Sequence, residues 1–304
     1  MKNILLIALT FFLTSVYGQK ADKIYLDKTD STKNCYTIIY PPKLPWTGYI
    51  VLIPGFGETA ESVFLQTDLP KLTAQNGLLT IIPNFQDGVL SFGVDSLSQQ
   101  SLNAILQDVT SRHKLMDQRF FIGGFSIGGS CAIKYAENAT IKPVAVFAID
   151  PPLDFERFYN SAKRDIRLPK DTEVNRENVY MIDRIEKEAN GTPETNIESY
   201  YRLSPYSFSD TSQRALKNIL KTPVRIYSEP DIQWWLTNRN ADLTSMNVTE
   251  CSAFINELNR LGNKKAELIL TQNKGYRKPN NTRHPHSWSI VDNNELIKWL
   301  LIQK

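Results

Sequence analysis

The pentapeptide Gly-Phe-Ser-Ile-Gly at residues 124–128 places a serine between two glycines, and its flanking segments constrain the fold. The apolar residues 119–123 before it predict a buried strand, and the small and apolar residues 127–136 after it predict a helix. A strand that turns sharply into a helix exposes the serine hydroxyl, and glycines are needed where the two elements nearly touch. The pattern therefore predicts that Ser126 is a nucleophile at the tip of a tight turn.

Short β-rich runs alternate with longer stretches of helical periodicity along the rest of the chain. Such alternation predicts an α/β fold in which helices flank a mostly parallel sheet of about eight strands. We predict strands over 24–26, 36–40, 49–53, 78–82, 120–123, 144–149, 224–227 and 266–270, and helices over 61–76, 96–113, 127–138, 212–220, 249–261 and 294–302.

The N-terminus carries one positive charge, followed by an apolar run and then by small residues. This pattern is typical of a secretory signal peptide over residues 1–18. The apolar run is too short for a membrane anchor, which needs about 20 residues. We therefore expect a secreted or periplasmic protein without stable membrane insertion.

Residues 19–304 are predicted to form one α/β domain, and residues 151–221, before the penultimate strand, are too long for one crossover. They are predicted to form a small insertion or lid at the sheet edge.

The formal net charge is only +3 and the basic residues are scattered, so we expect no nucleic-acid partner. Three cysteines do not make a disulfide framework. Cys131 falls on a helix of small residues and is predicted to be buried, while pairing of Cys35 with Cys251 in an oxidising compartment stays an alternative. No carboxylate or cysteine stands at ligand spacing from the histidines, so neither a metal nor another cofactor is expected.

An activated serine needs a histidine as base, and only three histidines are present. His113 ends a predicted helix, where a cation is ordinary. His284 and His286 follow the last strand, in a loop that should end at the same edge of the sheet as Ser126. We predict His286 as the base, because the apolar residues after it can pack behind its ring, and His284 is the alternative.

The carboxylate that orients the histidine is expected after the strand at 224–227. Asp231 is our first candidate, because the turn there can direct its carboxylate back toward the histidine. Glu229, in the same turn, is the second candidate. Asp150, at the end of the preceding strand, is the third.

Two backbone N–H groups must stabilise the oxyanion that forms on the attacked carbonyl. Ile127, directly after the nucleophile, is predicted to supply one. The glycine-containing loop at residues 54–58 follows a predicted strand, and Phe56 is predicted to supply the other, with Gly57 as the alternative.

With these residues in place, the chain resembles the α/β-hydrolase superfamily over most of residues 19–304. Residues 124–128 are similar to its nucleophile elbow, residues 54–57 to its oxyanion loop, residues 228–231 to its acid turn and residues 286–288 to its histidine loop. One departure is that Pro54 stands where the family commonly has a histidine that braces the oxyanion loop.

The resemblance implies the α/β-hydrolase fold and hydrolysis through a Ser126, His286 and Asp231 triad. The expected substrate is a small-molecule ester or peptide, with a carboxylic ester preferred. A peptidase acting on short peptides and a binding protein without turnover are the alternatives, because the scaffold hosts many functions. Several aromatic residues are candidates for an acyl pocket or for the core, namely Phe56, Trp234, Trp235 and the tyrosines at 159, 180, 200, 201 and 206.

Overall fold

The computed structural model describes residues 20–27, 29–166 and 172–304. The predicted signal peptide, residues 1–18, lies outside the described residues. Across the three described ranges, no helix combines the length and the apolar character that crossing a bilayer requires.

An eight-stranded sheet forms the centre of the fold. The eight strands are β1 (Ala21–Tyr25), β2 (Cys35–Ile39), β3 (Gly48–Ile53), β4 (Leu78–Asn84), β5 (Phe120–Phe125), β6 (Ala145–Ile149), β7 (Val224–Ser228) and β8 (Ala266–Leu270). Their order is β1-β2-β4-β3-β5-β6-β7-β8. Strand β2 pairs antiparallel with β1 and β4, and the remaining neighbours pair in parallel. The prediction of a mostly parallel sheet of about eight strands is therefore confirmed.

Helices cover both faces of the sheet, because the parallel strands are apolar on both sides. On β3, Val51 joins the core beneath one helical layer, whereas its neighbour Leu52 joins the core beneath the other. The first layer contains α3 (Ser96–His113), α4 (Ile127–Asn138) and α9 (Val248–Arg260), and the second contains α1 (Ala60–Gln66), α2 (Leu69–Gln75) and α10 (Asn293–Ile302).

The chain between β6 and β7 departs from simple alternation. It forms the helices α5 (Phe155–Asp165), α6 (Thr172–Ala189) and α7 (Pro193–Leu203). Phe155, Ile185 and Tyr200 from these helices are fully buried in one apolar cluster with Ile127, and Phe56 packs against it. These three helices therefore lie beside the carboxyl ends of β3 and β5. We call them the insertion helices.

Two features of the described chain were not predicted from the sequence. Helix α8 (Ile232–Arg239) follows β7, and a short antiparallel ribbon of β9 (Tyr276–Arg277) and β10 (Thr282–Arg283) follows β8. The predicted helix at 61–76 is divided into α1 and α2, because Pro70 lies in the first turn of α2, where a missing N–H costs nothing.

All three cysteines are unpaired and buried. Cys35 lies on β2 at one side of the sheet and Cys251 lies on α9, so the alternative of a disulfide between them is not found. Cys131 is fully buried on α4, as predicted. Burial raises the pKa of the Cys131 and Cys251 thiols well above the usual range, so both act as small apolar side chains.

Candidate active site

Ser126 stands at the junction of β5 and α4 in an unfavourable backbone conformation, with φ 54° and ψ −126°. Its N–H donates to the Ile149 carbonyl at 2.8 Å, which ties the turn to the end of β6. A non-glycine residue held at positive φ costs on the order of 1–3 kcal/mol and is a common feature of functional sites. This geometry places Ser126 on a tight strand-to-helix turn.

The two glycines of the pentapeptide allow α4 to approach the end of β3. A Cβ atom on Gly124 would lie 2.5 Å from the Ile53 carbonyl oxygen, and one on Gly128 would lie 2.3 Å from the Pro54 carbonyl oxygen. Both contacts are with backbone, which cannot move aside as a side chain can. Glycine is therefore required at both positions on steric grounds.

His286 follows β10 and forms a hydrogen bond to a carboxylate that the sequence ranked third. Its Nδ1 lies 2.6 Å from Asp150 Oδ2. Because a carboxylate only accepts, Nδ1 donates the proton and Nε2 of the neutral ring is left free to accept. The Phe125 ring packs against the imidazole, with 4.5 Å between ring centroids.

Asp150 directly follows β6 and is held in place from several sides. It has φ 47°, and its N–H donates to the Tyr227 carbonyl at 2.8 Å. The Ser228 hydroxyl donates to Oδ1, so the second carboxylate oxygen stays available to His286. Asn247 donates its side-chain amide to the Asp150 carbonyl at 2.8 Å.

The placement of Asp231 corrects the sequence prediction. Asp231 begins α8, where Oδ1 accepts the Trp234 N–H at 3.0 Å, and Oδ2 lies 2.6 Å from an Arg283 Nη2. Its carboxylate is engaged at a helix start and in an ion pair, and His286 bonds Asp150 instead. The physical reason is that β6 is the immediate neighbour of β5, whereas β7 lies one strand further from Ser126.

Glu229, the second candidate for the acid, braces the loop that carries the histidine. It is 4% exposed and accepts the N–H groups of Lys274 and Gly275 at 2.9 and 3.2 Å. Arg283 forms an ion pair with it at 2.6 Å. Glu229 therefore has a structural role between β7 and the ribbon.

Phe56 and Ile127 line the same cavity as Ser126. The Gly57 N–H donates to the Val89 carbonyl at 2.8 Å, so the alternative donor is already occupied. Within residues 20–27, 29–166 and 172–304, neither the Phe56 nor the Ile127 N–H is bonded to a protein acceptor. Both groups are thus available to an oxyanion.

Glu58 was given no role from the sequence, yet it braces the loop that contains Phe56. Its Oε2 accepts the Gly55 N–H at 2.9 Å and the Trp288 Nε1–H at 3.0 Å. Glu58 therefore joins the loop at residues 54–58 to the loop that carries His286, and it braces the segment that follows Pro54. In the sequence, the only sign of this bracing role was an acidic residue four positions after Pro54.

His284, the alternative base, is 8% exposed, and the carboxylate of Asp150 is bonded to His286 instead. Its ring packs against Trp234 and Trp235, at centroid distances of 4.7 and 5.8 Å. Burial, together with the positive charge of Arg277, lowers the pKa of His284 to about 2. The ring is therefore neutral at every ordinary pH.

Ser126, Asp150 and His286 line one open cavity of about 470 Å³. Phe158 of α5 and Met181 of α6 also line it, so the insertion helices supply part of its wall. Among the aromatic candidates for an acyl pocket, Phe56 and Trp235 line this cavity. Three of the tyrosines are instead buried in the apolar core, namely Tyr159, Tyr200 and Tyr206.

Within the described part of the chain, no cluster of three or more histidine, cysteine or carboxylate side chains has the arrangement of a metal site.

The strand order, the strained serine turn and the histidine loop together define the α/β-hydrolase fold. Comparison with solved structures finds proteins that share this fold. No family model matches the sequence, and no curated protein matches it.

Three of the similar structures illustrate the range of proteins that share this fold. The chain is 15% identical to FphF, fluorophosphonate-binding serine hydrolase F of Staphylococcus aureus, with a TM-score of 0.54 over 92% of this chain and 98% of that one. It is 18% identical to a soluble variant of monoglyceride lipase from Saccharomyces cerevisiae, with a TM-score of 0.55 over 88% and 90% of the two chains.

The acylaminoacyl peptidase of Pyrococcus horikoshii is 14% identical, with a TM-score of 0.54 over 88% of this chain. The match covers only 38% of that longer peptidase. At these identities the similarity establishes the shared fold, and the activity has to be argued from the site itself.

Proposed function

We propose that this protein is a serine hydrolase that cleaves a carboxylic ester through Ser126, His286 and Asp150. The observation that carries the proposal is the 2.6 Å bond between His286 Nδ1 and Asp150 Oδ2, in the same cavity as the strained Ser126. Serine, histidine and carboxylate in this relationship are the parts that nucleophilic acyl transfer requires.

In the proposed reaction, His286 Nε2 takes the proton of the Ser126 hydroxyl as Oγ attacks the carbonyl carbon. Asp150 holds the ring in the tautomer with its proton on Nδ1 and stabilises the imidazolium that forms. The N–H groups of Phe56 and Ile127 stabilise the negative charge on the carbonyl oxygen. His286 then gives its proton to the leaving alcohol, and an acyl-enzyme on Ser126 remains.

Deacylation uses the same groups in reverse order. His286 accepts a proton from a water molecule, the resulting hydroxide attacks the acyl carbon, and Ser126 leaves with the proton that His286 returns. The products are a carboxylic acid and an alcohol. Every proton transfer is assigned to a residue of this chain.

We further propose that the insertion helices form a lid that shapes the substrate cavity. Phe158 and Met181 line that cavity, and the Tyr180 ring packs on Phe56 with 5.6 Å between centroids. Contact between α6 and the oxyanion loop supports a role for these helices in positioning the substrate.

A fluorophosphonate probe tests the proposal without knowledge of the substrate, because it labels activated serines. We expect labelling of the purified protein, hydrolysis of p-nitrophenyl acetate, and loss of both in Ser126→Ala. Ser212→Ala, at an exposed turn, is the matched control and should label like the parent. An aminoacyl p-nitroanilide, assayed in parallel, separates an esterase from a peptidase.

Absence of labelling in the folded parent protein would refute the proposal and favour a binding protein on this scaffold. Faster cleavage of the anilide than of the ester would replace the esterase assignment with a peptidase.

A further inference from the structure

One wall of the cavity is apolar, although its residues come from three separate segments of the chain. Phe158 of α5, Met181 of α6, Met246 just before α9 and Val248 in the first turn of α9 all line the cavity. Met181, Met246 and Val248 are only 7%, 5% and 8% exposed, so they border the cavity while remaining largely buried. We call these four residues the apolar wall.

Polar contacts behind the apolar wall hold its segments together. Arg157 of α5 donates to the Met246 carbonyl at 3.1 Å and forms an ion pair with Glu250 of α9. Asn247, between the two wall residues at the start of α9, donates to the Asp150 carbonyl at 2.8 Å. The start of α9 is therefore fixed both to the insertion helices and to the proposed catalytic acid.

The apolar wall adjoins the residue that follows the nucleophile. Ile127 lines the same cavity and lies in the apolar cluster against which Phe158 packs. In the proposed reaction the substrate carbonyl binds at the Ile127 N–H, so the acyl chain begins beside the Ile127 side chain. The leaving alcohol must instead lie within reach of His286, which gives it a proton. This arrangement assigns the apolar wall to the acyl side of the bond that breaks.

The insertion helices become more polar toward the rim of the cavity. Glu177 and Met181 are four residues apart on α6 and share one face of the helix. Glu177 is exposed, whereas Met181 is buried. A polar group of the substrate placed against the buried part of this face would lose its hydrogen bonds to water, while an apolar chain gains from the same burial.

The polar side chains next to the apolar wall are engaged or buried. Asp165, at the end of α5, forms an ion pair with Arg164 at 3.3 Å. The side-chain amide of Asn247 is bonded to the Asp150 carbonyl, and the hydroxyl oxygen of Ser245 is buried. The surface that faces a ligand in this part of the cavity is therefore formed mainly by hydrocarbon and thioether groups.

We propose that the apolar wall binds the acyl chain of the substrate, which is an ester of a straight-chain fatty acid. The inference rests on the proposed function, because it identifies the substrate class of the same site. Two of the four methionines in the sequence, Met181 and Met246, lie in this wall. Methionine side chains are unbranched and flexible, so they can pack along a chain that is itself flexible.

Two p-nitrophenyl esters with the same leaving group test the proposal. The hexanoate has four more methylene groups than the acetate, and each fully buried methylene contributes about fourfold. We expect the parent protein to hydrolyse the hexanoate with a kcat/KM about tenfold or more above that of the acetate. Met181→Gln keeps the length of the side chain and adds a polar amide, so it should lower this ratio by about fivefold or more.

Met116→Gln is the matched control, because Met116 is 62% exposed and precedes β5, at the opposite edge of the sheet from Ser126. Its ratio should stay at the parent value. Met246→Gln is the second test variant and should lower the ratio as Met181→Gln does, which keeps the test available if one of the two proteins does not fold. The intrinsic reactivity of each ester cancels, since the same two compounds are used throughout.

Alkylboronic acids give a readout that needs neither a variant nor turnover, because they form reversible adducts with activated serines. Pentylboronic acid carries the alkyl chain of the hexanoate, and methylboronic acid carries that of the acetate. We expect pentylboronic acid to inhibit acetate hydrolysis by the parent protein about tenfold or more strongly than methylboronic acid does.

A hexanoate-to-acetate ratio near one in the parent protein, or a ratio that both methionine variants leave unchanged, would overturn the acyl-chain assignment. Equal inhibition by the two boronic acids would overturn it as well. A chain preference found only in the alcohol part, with hexyl acetate preferred to methyl acetate, would move the apolar wall to the leaving-group side and so refute the proposal. In each of these cases, continued hydrolysis of p-nitrophenyl acetate leaves the hydrolase proposal standing.

Discussion

Asp150 accepts a hydrogen bond from His286 Nδ1 at 2.6 Å, although 136 residues separate the two along the chain. The carboxylate follows β6, the strand next to the one that carries Ser126, and the Ser228 hydroxyl at the end of β7 donates to its other oxygen. The last residue of β7, the strand after which the sequence suggested the acid, therefore orients the carboxylate that we propose as the acid.

Asp150→Asn should abolish most activity, whereas Asp231→Asn should not. An amide at position 150 favours the wrong tautomer of His286, and the expected loss of kcat is about four powers of ten. At position 231, an asparagine still caps α8, so we expect a loss of less than about 1 kcal/mol in unfolding free energy and activity within about threefold. Steady-state kinetics on p-nitrophenyl acetate measure the difference. If Asp231→Asn were the inactive variant, the assignment of Asp150 would be wrong.

Glu58→Ala should lower both activity and stability, because it leaves the Gly55 N–H and the Trp288 Nε1–H without their acceptor. Loss of an acceptor for two partly buried donors should cost about 1–3 kcal/mol of unfolding free energy. We also expect kcat/KM to fall by about tenfold or more, since Phe56, the proposed oxyanion donor, lies on the released loop.

Urea unfolding and ester kinetics check these two effects of Glu58→Ala separately. Glu61→Ala, at an exposed position on α1, is the control. Equal kinetics for both variants would show that Glu58 does not position the oxyanion loop.

Gly128→Ala should prevent normal folding, whereas Gly57→Ala should be tolerated. A Cβ at 128 would lie 2.3 Å from the Pro54 carbonyl oxygen, while a Cβ at 57 meets no atom within 4 Å. The strain at Gly57, which has φ +75°, should cost about 1 kcal/mol, and the backbone clash at 128 more than about 4 kcal/mol. Soluble yield and thermal unfolding compare the two. A Gly128→Ala protein as stable as the parent would contradict the close packing of α4 on β3.

Lowering the pH should destabilise the parent protein more than it destabilises the His284→Asn variant. The pKa of His284 is lowered to about 2 in the folded protein and rises to its ordinary value on unfolding. The unfolded chain therefore binds more protons between these values, and stability falls as the pH decreases below about 6.5. The titratable groups that face the ring are Arg239, Arg277 and His286.

Urea unfolding at pH 7.5 and pH 4.5 tests this effect of His284. The decrease in unfolding free energy between the two values should be about 2 kcal/mol larger for the parent than for His284→Asn. Equal decreases would mean that His284 is protonated in the folded protein.

Cleavage after Gly18 is the expectation from the charged, apolar and small-residue pattern of residues 1–18. Expression of the whole chain in a secreting host, followed by mass spectrometry of the exported material, measures the new N-terminus. Exported protein that still carries Met1 would contradict the prediction.

The sequence by itself determined the features that depend on local pattern. Alternating strands and helices predicted the mostly parallel sheet, and the glycine-flanked serine predicted the turn at Ser126, because each signal lies within a short stretch of chain. The ribbon at 276–283 and the division of the helix at 61–76 were missed, since two-residue strands and a change of helix direction leave little periodicity to detect.

Only the tertiary structure decided which carboxylate meets the histidine. Asp150, Glu229 and Asp231 all follow strands that end at the same edge of the sheet, and their local patterns do not rank them. The choice depends on lateral strand order and on which neighbour engages each side chain. Arg283 engages Glu229 and Asp231, and Asp150 is left facing His286. The role of Glu58 was hidden for the same reason, because its partner Trp288 lies 230 residues further along the chain.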